Sequence, residues 1–301
     1  MTAQTFTMAV PDGRRIEVLA AGPETGLPLV MHNGTPAGLA AYPPMIEAAA
    51  QRGLRMVTCA RPGYGASTPR PGRRVADVTQ DVTAVLDELG AAHFVTVGWS
   101  GGGPHALACA ARLPGRCLAA ASMAGVAPHS AEGLDWVAGM GAENIEEFGA
   151  ALAGEGPLTS FLEPAAAELA TVTGPAVAES LGGLVSAADK AVAGGEFADY
   201  LAASFRAAVR TGIAGWRDDD LAFVADWGFT MAEVGAGAPV TIWQGDQDMM
   251  VPPAHGTWLA GHVPGARAHL LPAEGHLTLG VTSFGAILDD LLDLAGPGAV
   301  K

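Results

Sequence analysis

Residues 93–112 read HFVTVGWSGGGPHALACAAR. The first six, His93 to Gly98, form an apolar run rich in β-branched residues, which is typical of a buried strand. The last ten favour a helix that continues through Leu107. Between strand and helix the chain has the pattern G-x-S-x-G around Ser100. Such a turn is so sharp that larger neighbouring side chains would clash, and it exposes the serine at the start of the helix. The stretch therefore predicts a strand, a tight turn and a helix, with Ser100 as a candidate nucleophile.

The rest of the chain repeats this alternation of strand and helix. A hairpin is predicted over 5–10 and 15–21, and further strands at 28–32, 55–60, 93–98, 118–123, 240–243 and 268–271. Amphipathic helices are predicted at 75–89 and 284–294. Strands that alternate with helices are typical of an α/β fold with a parallel sheet and crossover helices. From 126 to 237 the alternation stops and alanine-rich helical segments take over, so we predict a core domain of residues 1–125 and 238–301 with a helical cap inserted as residues 126–237.

Composition limits the partners that the protein can have. Half of the 301 residues are hydrophobic, and 16 basic residues face 31 acidic ones, which gives a net charge of -15. A polyanion would be repelled from most of this surface, so we expect no nucleic-acid partner. Proline and glycine interrupt each apolar run, and the first residues lack the pattern of an export signal. We therefore predict a cytoplasmic protein without a membrane partner, and the oligomeric state stays open between a monomer and a homodimer.

The three cysteines, Cys59, Cys109 and Cys117, lie in apolar stretches and lack metal-ligand spacing. We expect them to be reduced core residues. The aspartate run 218–220 lacks the spacing of a calcium loop, and we interpret it as a solvated turn or helix start. The sequence thus predicts no metal site and no cofactor.

A serine nucleophile needs a general base, and the base needs an acidic partner that holds its tautomer. The chain offers both after later strands, first an acidic loop with Asp246 and Asp248 and then Gly275-His276. We predict a catalytic set of Ser100, Asp248 and His276. Asp246 is the alternative acid, and whichever of the two aspartates is not the acid would hold the turn.

Acyl transfer also needs hydrogen-bond donors for the oxyanion of the tetrahedral intermediate. The backbone N–H of Gly101, directly after the serine, supplies one candidate. The second should come from the loop after the strand at 28–32. Pro36 in that loop has no N–H, so the donor is Thr35, which we favour, or Gly34.

Taken together, these motifs resemble the α/β-hydrolase superfamily, in its serine-nucleophile branch with a helical cap. The marks are the loop 32–36, the Arg61-Pro62-Gly63-Tyr64-Gly65 turn with Ser67, the elbow at 98–102, the acidic loop 245–252 and Gly275-His276. The resemblance implies an eight-stranded, mostly parallel sheet with the cap after the sixth strand. Epoxide hydrolases and haloalkane dehalogenases of the superfamily carry an aspartate nucleophile, so the serine here argues against those branches. We interpret Arg61 as a structural residue that pins neighbouring loops.

The expected function is that of a carboxylesterase-like serine hydrolase, which cleaves small, fairly apolar esters or related acyl compounds through an acyl-enzyme. The alternatives are an aminopeptidase similar to the proline iminopeptidases, a C–C bond hydrolase or lyase, and a non-catalytic ligand-binding protein. The aminopeptidase would need a cap carboxylate such as Glu143, Glu146 or Glu147 near the substrate. Residues expected to contact the small-molecule substrate are Trp99, Trp136, Met140 and Met249.

Overall fold

A computed structural model describes residues 3–300 and consists of one twisted sheet with helices on both faces. The strands are β1 Gln4–Ala9, β2 Arg15–Ala21, β3 Leu27–His32, β4 Leu54–Cys59, β5 Phe94–Trp99, β6 Cys117–Met123, β7 Val240–Gly245 and β8 Arg267–Leu271. Their order in the sheet is β1-β2-β4-β3-β5-β6-β7-β8. β1 and β2 pair antiparallel, β2 pairs antiparallel with β4, and the remaining strands are parallel. The predicted eight-stranded, mostly parallel α/β fold is confirmed.

The helices of the core lie between the strands and after the last strand. They are α1 Pro43–Ala50, α2 Val78–Glu88, α3 Gly103–Arg112, α11 Pro253–His262 and α12 Phe284–Ala295. α1 and α12 bury their apolar residues against one face of the sheet, and α2, α3 and α11 do so against the other. Every residue of the interior strands β5 and β7 is buried. A strand covered on both faces can be apolar at every position, which is why these segments lack the alternation of a half-exposed strand.

The chain between β6 and β7 forms seven helices. They are α4 Ala142–Ala153, α5 Glu155–Leu169, α6 Val177–Ser180, α7 Ala187–Val192, α8 Gly195–Val209, α9 Ala214–Val224 and α10 Met231–Ala236. We call residues 126–237 the cap segment. α4 contacts α5 and α9, and α5 also contacts α8, whereas α10 packs against α3 of the core. The helical content predicted for this segment is therefore present, although its last helix lies on the core.

Within residues 3–300, no helix has both the length and the apolar composition needed to cross a membrane. The three cysteines are free, and Cys109 and Cys117 are buried. Cys109 and Cys117 are therefore core residues, as expected from the sequence, whereas Cys59 is only partly buried.

Candidate active site

Ser100 occupies the turn between β5 and α3 in a strained backbone conformation, with a φ of 57°. Glycines on either side make this turn possible. A Cβ atom on Gly98 would lie 2.1 Å from the carbonyl oxygen of Gly102, and one on Gly102 would lie 2.0 Å from the carbonyl oxygen of His32. The crowding explains the G-x-S-x-G pattern, and the turn leaves Ser100 at the amino end of a helix, where the peptide dipoles favour a developing negative charge.

Asp248 and His276 meet beyond the carboxyl ends of β7 and β8. The Nδ1 atom of His276 lies 2.8 Å from Oδ2 of Asp248, and both side chains are buried. The other oxygen of Asp248 accepts hydrogen bonds from the backbone N–H groups of Met250 and Val251. The Gln244 amide donates to Oδ2 at 3.1 Å. These donors hold the carboxylate in one orientation toward the imidazole.

The structure distinguishes the two candidate acids. Asp246 is exposed and accepts a hydrogen bond from the N–H of Ala273 at 2.8 Å. It thereby ties the loop after β7 to the loop after β8. Asp248, and not Asp246, is the aspartate that the fold brings to His276.

Two effects oppose each other in setting the pKa of His276. Burial lowers the pKa, but the charge and the hydrogen bond of Asp248, with a further contribution from the Asp189 carboxylate, raise it above the ordinary value. Ser100 and His276 line the same cavity. Within the described residues, no hydrogen bond joins the Ser100 hydroxyl to the imidazole. Serine–base contacts in unliganded sites are often long and tighten when a substrate binds.

The candidate oxyanion loop lies against the serine turn. A Cβ atom on Gly34 would stand 3.3 Å from Cβ of Ser100, and one on Gly101 would stand 2.6 Å from Oγ1 of Thr35. The fold thus brings together all three residues that the sequence suggested as oxyanion donors. The choice between Gly34 and Thr35 as the second donor stays a prediction.

A buried charge network supports this loop from behind. Arg61 donates to the carbonyl oxygens of Asn33 and Gly34 at 2.6 and 2.8 Å. Its guanidinium also pairs with Asp219 of α9 at 2.6 Å. Asp219 accepts further hydrogen bonds from Thr35 Oγ1 at 3.0 Å and from the Tyr64 hydroxyl at 2.9 Å. Arg61 therefore pins neighbouring loops, as the sequence predicts, and an aspartate of the cap segment fixes Arg61.

The prediction that the aspartate run 218–220 is a solvated turn or helix start is wrong. The run lies inside α9, and all three residues are buried. Arg61 and Arg73 arrive from a distant part of the chain and neutralise Asp219. Burial raises the pKa of Asp219, but these two cations outweigh burial and hold the pKa well below its usual range. A run of aspartates predicts solvent exposure unless its partners are known, and here the arginines that neutralise Asp219 lie far away in the sequence.

Asp220 differs from its neighbour, since neither of its buried carboxyl oxygens has a hydrogen-bond donor within residues 3–300. Burial, and then the nearby Glu147 carboxylate of α4, raise its pKa well above the ordinary value. Burial also raises the pKa of Glu147. The Trp216 indole N–H donates to Glu147 at 2.6 Å. The two acidic side chains therefore lie near each other where α4 contacts α9.

A cavity of about 290 Å³ lies between the cap segment and the carboxyl ends of the strands. Ser100 and His276 stand on its core side together with the loop 33–37. Its cap side is mainly apolar and includes Phe161, Leu169, Leu181, Leu184, Tyr200, Leu201, Phe205 and Trp216. The carboxylates of Glu143, Glu147 and Glu168 interrupt this apolar wall.

Of the four residues expected to contact the substrate, only Trp99 lines the cavity. Trp136 is buried in a contact with Phe148, and its indole N–H donates to the Ala127 carbonyl oxygen at 2.7 Å. Met140 is buried in the same apolar cluster. The prediction that Trp136 and Met140 contact the substrate is therefore wrong, because both are used to pack the base of the cap segment.

The prediction that Met249 contacts the substrate is also wrong, because its side chain is exposed at the surface. The neighbouring Met250 lines the cavity instead. Asp248 accepts the Met250 N–H and thereby folds the loop back on itself. Sequence alone could not show which of two adjacent methionines this turn would direct inward.

Sequence reasoning missed Asp189 of α7. Its carboxylate accepts hydrogen bonds from the backbone N–H groups of His276, Leu277 and Thr278 at 3.1, 2.7 and 3.2 Å. One local signal was available, because Ser186-x-x-Asp189 has the form of a helix N-cap, and Ser186 does cap α7. That signal predicts the start of a helix, but it does not predict a contact 87 residues further along the chain.

Comparison with curated proteins finds limited similarity. A non-heme chloroperoxidase of Streptomyces lividans is 31% identical over 149 residues, which are 49% of this chain and 54% of the relative. A second match, to a putative non-heme haloperoxidase of Mycobacterium phage D29, covers 41% of that relative's length. The chain thus spans about half the length of the curated relatives it matches.

Comparison with solved structures covers nearly the whole chain. A bromoperoxidase from Bacillus anthracis matches with a TM-score of 0.67 at 20% identity, over 97% of this chain and 99% of that one. A carboxylesterase from Bacillus subtilis matches with a TM-score of 0.65 at 18% identity, over 99% of this chain and 93% of that one. At these identities the likeness concerns the fold. The family profile described as alpha/beta hydrolase fold matches residues 28–281, and the chain therefore belongs to the α/β-hydrolase family.

Proposed function

We propose that the protein is a serine hydrolase that cleaves small, fairly apolar carboxylic esters or related acyl compounds. The observation that carries this proposal is the 2.8 Å contact of Asp248 with His276, on the wall of the cavity that Ser100 also lines. A base with a fixed carboxylate partner and a serine held at a strained turn are the parts that acyl transfer requires.

In the proposed reaction, Ser100 attacks the acyl carbon and His276 accepts the hydroxyl proton. Asp248 keeps the Nδ1 proton on the side of the carboxylate, so that the other ring nitrogen is free to act as the base. The Gly101 N–H, with that of Thr35 or Gly34, stabilises the oxyanion. His276 then gives its proton to the leaving group, and water removes the acyl group from Ser100 by the same route.

The cavity supports the choice of substrate class. Its volume of about 290 Å³ lies just below the range of roughly 300–1,000 Å³ that is usual for ligand pockets, so it suits a small substrate. Its cap side is mainly aliphatic and aromatic, so it offers an apolar acyl or alcohol group more contact than a strongly polar one. The net charge of -15 further disfavours anionic substrates.

A labelling and turnover experiment tests this function. We expect the purified protein to acquire one covalent fluorophosphonate label on Ser100 and to hydrolyse p-nitrophenyl acetate and butyrate. Ser100→Ala should lose both properties and keep the thermal unfolding transition of the wild type. Ligand binding without serine-dependent turnover would contradict the proposal and favour a binding protein on the same scaffold.

One observation favours a second candidate, the aminopeptidase. Glu143 and Glu147 line the cavity, as an enzyme that grips the α-ammonium group of a peptide would need. Glu143, however, already accepts the Gly183 N–H, and Glu147 is bound to Trp216. Alanine and proline p-nitroanilides should therefore be poorer substrates than p-nitrophenyl butyrate. Faster turnover of the anilides, lost in Glu147→Gln, would establish the aminopeptidase instead.

A further inference from the structure

The loop that carries His276 is anchored by a carboxylate of the cap segment. Asp189 is fully buried, and its two oxygens accept the backbone N–H groups of His276, Leu277 and Thr278. The Ser186 hydroxyl donates to the same carboxylate at 3.0 Å. Three consecutive N–H groups of one loop thus converge on a single side chain from another part of the chain.

Gly275 is what allows this close approach. A Cβ atom at position 275 would lie 2.4 Å from each oxygen of the Asp189 carboxylate, closer than real contacts allow. Any larger residue before His276 would push the carboxylate away from the loop. The contact therefore depends on both Gly275 and Asp189, although 85 residues of chain separate them.

A buried carboxylate is costly unless hydrogen bonds or cations compensate for its lost hydration. Asp189 has no salt bridge within the described part of the chain, residues 3–300, so hydrogen-bond donors alone compensate for it. A carboxylate can accept bonds at both oxygens, whereas a carboxamide would turn an NH₂ group toward N–H donors. The donors around position 189 therefore suit an aspartate side chain and not an asparagine side chain.

We propose that Asp189 is a positioning residue, which fixes the His276 loop to the cap segment and orients the imidazole toward Ser100. The inference rests on the proposed function, since it assigns a role to Asp189 only if His276 is the base. Asp189 does not line the cavity, so it acts through His276 and not on the substrate.

The position of Asp189 has an electrostatic consequence as well. The charged groups that act on His276 are Asp248, at Nδ1, and Asp189, at the backbone, and both raise its pKa against the lowering effect of burial. His276 must be neutral to accept a proton, so activity rises with pH through this pKa. Removal of the Asp189 charge should therefore move the acidic limb of kcat/KM to lower pH.

The decisive variant is Asp189→Asn, measured on the full chain with p-nitrophenyl butyrate and with active sites counted by fluorophosphonate labelling. We expect kcat per labelled site to fall between about tenfold and about a hundredfold, as small displacements of a catalytic group do. KM should stay close to the wild-type value, and the acidic limb should shift to lower pH. The matched control is Asp199→Asn, which removes the same charge from an exposed position of α8 and should leave all three quantities unchanged.

A purely structural role would lower the amount of labelled protein without changing kcat per site or the acidic limb, and that result would overturn the proposal. If Asp189→Asn does not fold, Ser186→Ala replaces it in the test. This variant removes one hydrogen-bond donor to the Asp189 carboxylate and keeps the charge of Asp189. Its kcat should fall while the acidic limb stays in place, and an unchanged kcat would also overturn the proposal. If Ser100→Ala keeps the activity of the wild type, the proposed function itself is contradicted. If Ser100→Ala abolishes the activity and Asp189→Asn leaves kcat per site unchanged, only the proposal for Asp189 is contradicted.

Discussion

Ser100 has a φ of 57°, a conformation that costs a non-glycine residue of the order of 1–3 kcal/mol. The surrounding strand, helix and glycines hold it there, since a Cβ atom on Gly98 or Gly102 would overlap backbone atoms. The fold thus keeps Ser100 in a strained conformation beside the cavity, as expected for a side chain that must be presented to a substrate.

At the same scale, the two neighbouring aspartates provide a sharp test of the catalytic set. Asp248→Asn keeps the shape of the side chain but removes the charge that holds the His276 tautomer, so we expect kcat to fall by about 10⁴. Asp246→Asn removes a charge only two residues away, on an exposed side chain that bonds to the Ala273 N–H. It should keep activity within a small factor of the wild type. Equal losses in the two variants, measured per labelled active site, would contradict the assignment of Asp248.

The sequence could predict the candidate nucleophile and base because each has a local signature. Ser100 stands in a glycine turn after a strand, and His276 follows a glycine at a strand end. The choice between Asp246 and Asp248 depended on how one loop folds, and the pocket residues depended on how helices of the cap segment pack. Met249 and Met250 illustrate the limit, since both are apolar and adjacent and only the backbone turn decides which one lines the cavity.

At the scale of elements, α9 connects the cap segment to the loops around the candidate site through Asp219. We expect Asp219→Asn to destabilise the protein by about 3–5 kcal/mol, because Arg61 and Arg73 would remain buried without their counter-charge. The folded-state pKa of Asp219 lies below the unfolded value, so its stabilising effect is present above the unfolded pKa and is lost as the pH falls through the folded pKa. Urea unfolding should therefore give a large difference from wild type at pH 7 and a smaller one in strong acid.

The adjacent residue supplies the control for that prediction. The pKa of Asp220 is raised, so its effect on stability has the opposite sign, and the folded state loses stability as the pH rises toward the folded pKa. Asp220→Asn imitates the protonated acid and should leave the protein at least as stable as the wild type at pH 8. Similar destabilisation of both variants at that pH would show that the charge network does not govern the stability of α9.

The elements of the core were easier to predict than those of the cap segment. Strands such as β5 and β7 are continuous apolar runs bounded by turn residues, and this local pattern survives in the folded protein. The burial of Asp219 in α9 depends on arginines from the other half of the chain, and the proposed role of Asp189 depends on a loop that follows β8. No window of sequence contains both partners of these contacts.

At the scale of the whole molecule, we expect the cavity under the cap segment to limit the length of the acyl group. Each methylene buried in it should add about 0.8 kcal/mol, or roughly a fourfold gain, until the wall is reached. Overpacking then costs about 1–3 kcal/mol. We expect kcat/KM for p-nitrophenyl esters to rise over the first few acyl carbons and to fall by about C8 to C10. Steady improvement through C12 and C16 esters in monomeric solution would contradict a limit set by a cavity of about 290 Å³.

The bond between Asp189 and the His276 loop has a consequence for protein engineering. The cap segment lies between β6 and β7, and a segment inserted between two strands can be exchanged as a module. In this protein, exchange of the cap segment would remove Asp189, which anchors the loop of the proposed base His276. Gly275, whose missing side chain leaves room for the Asp189 carboxylate, would remain in the core domain. A chimera that keeps Ser186 and Asp189 in the incoming segment should retain turnover, and one that omits them should bind substrate but turn it over slowly.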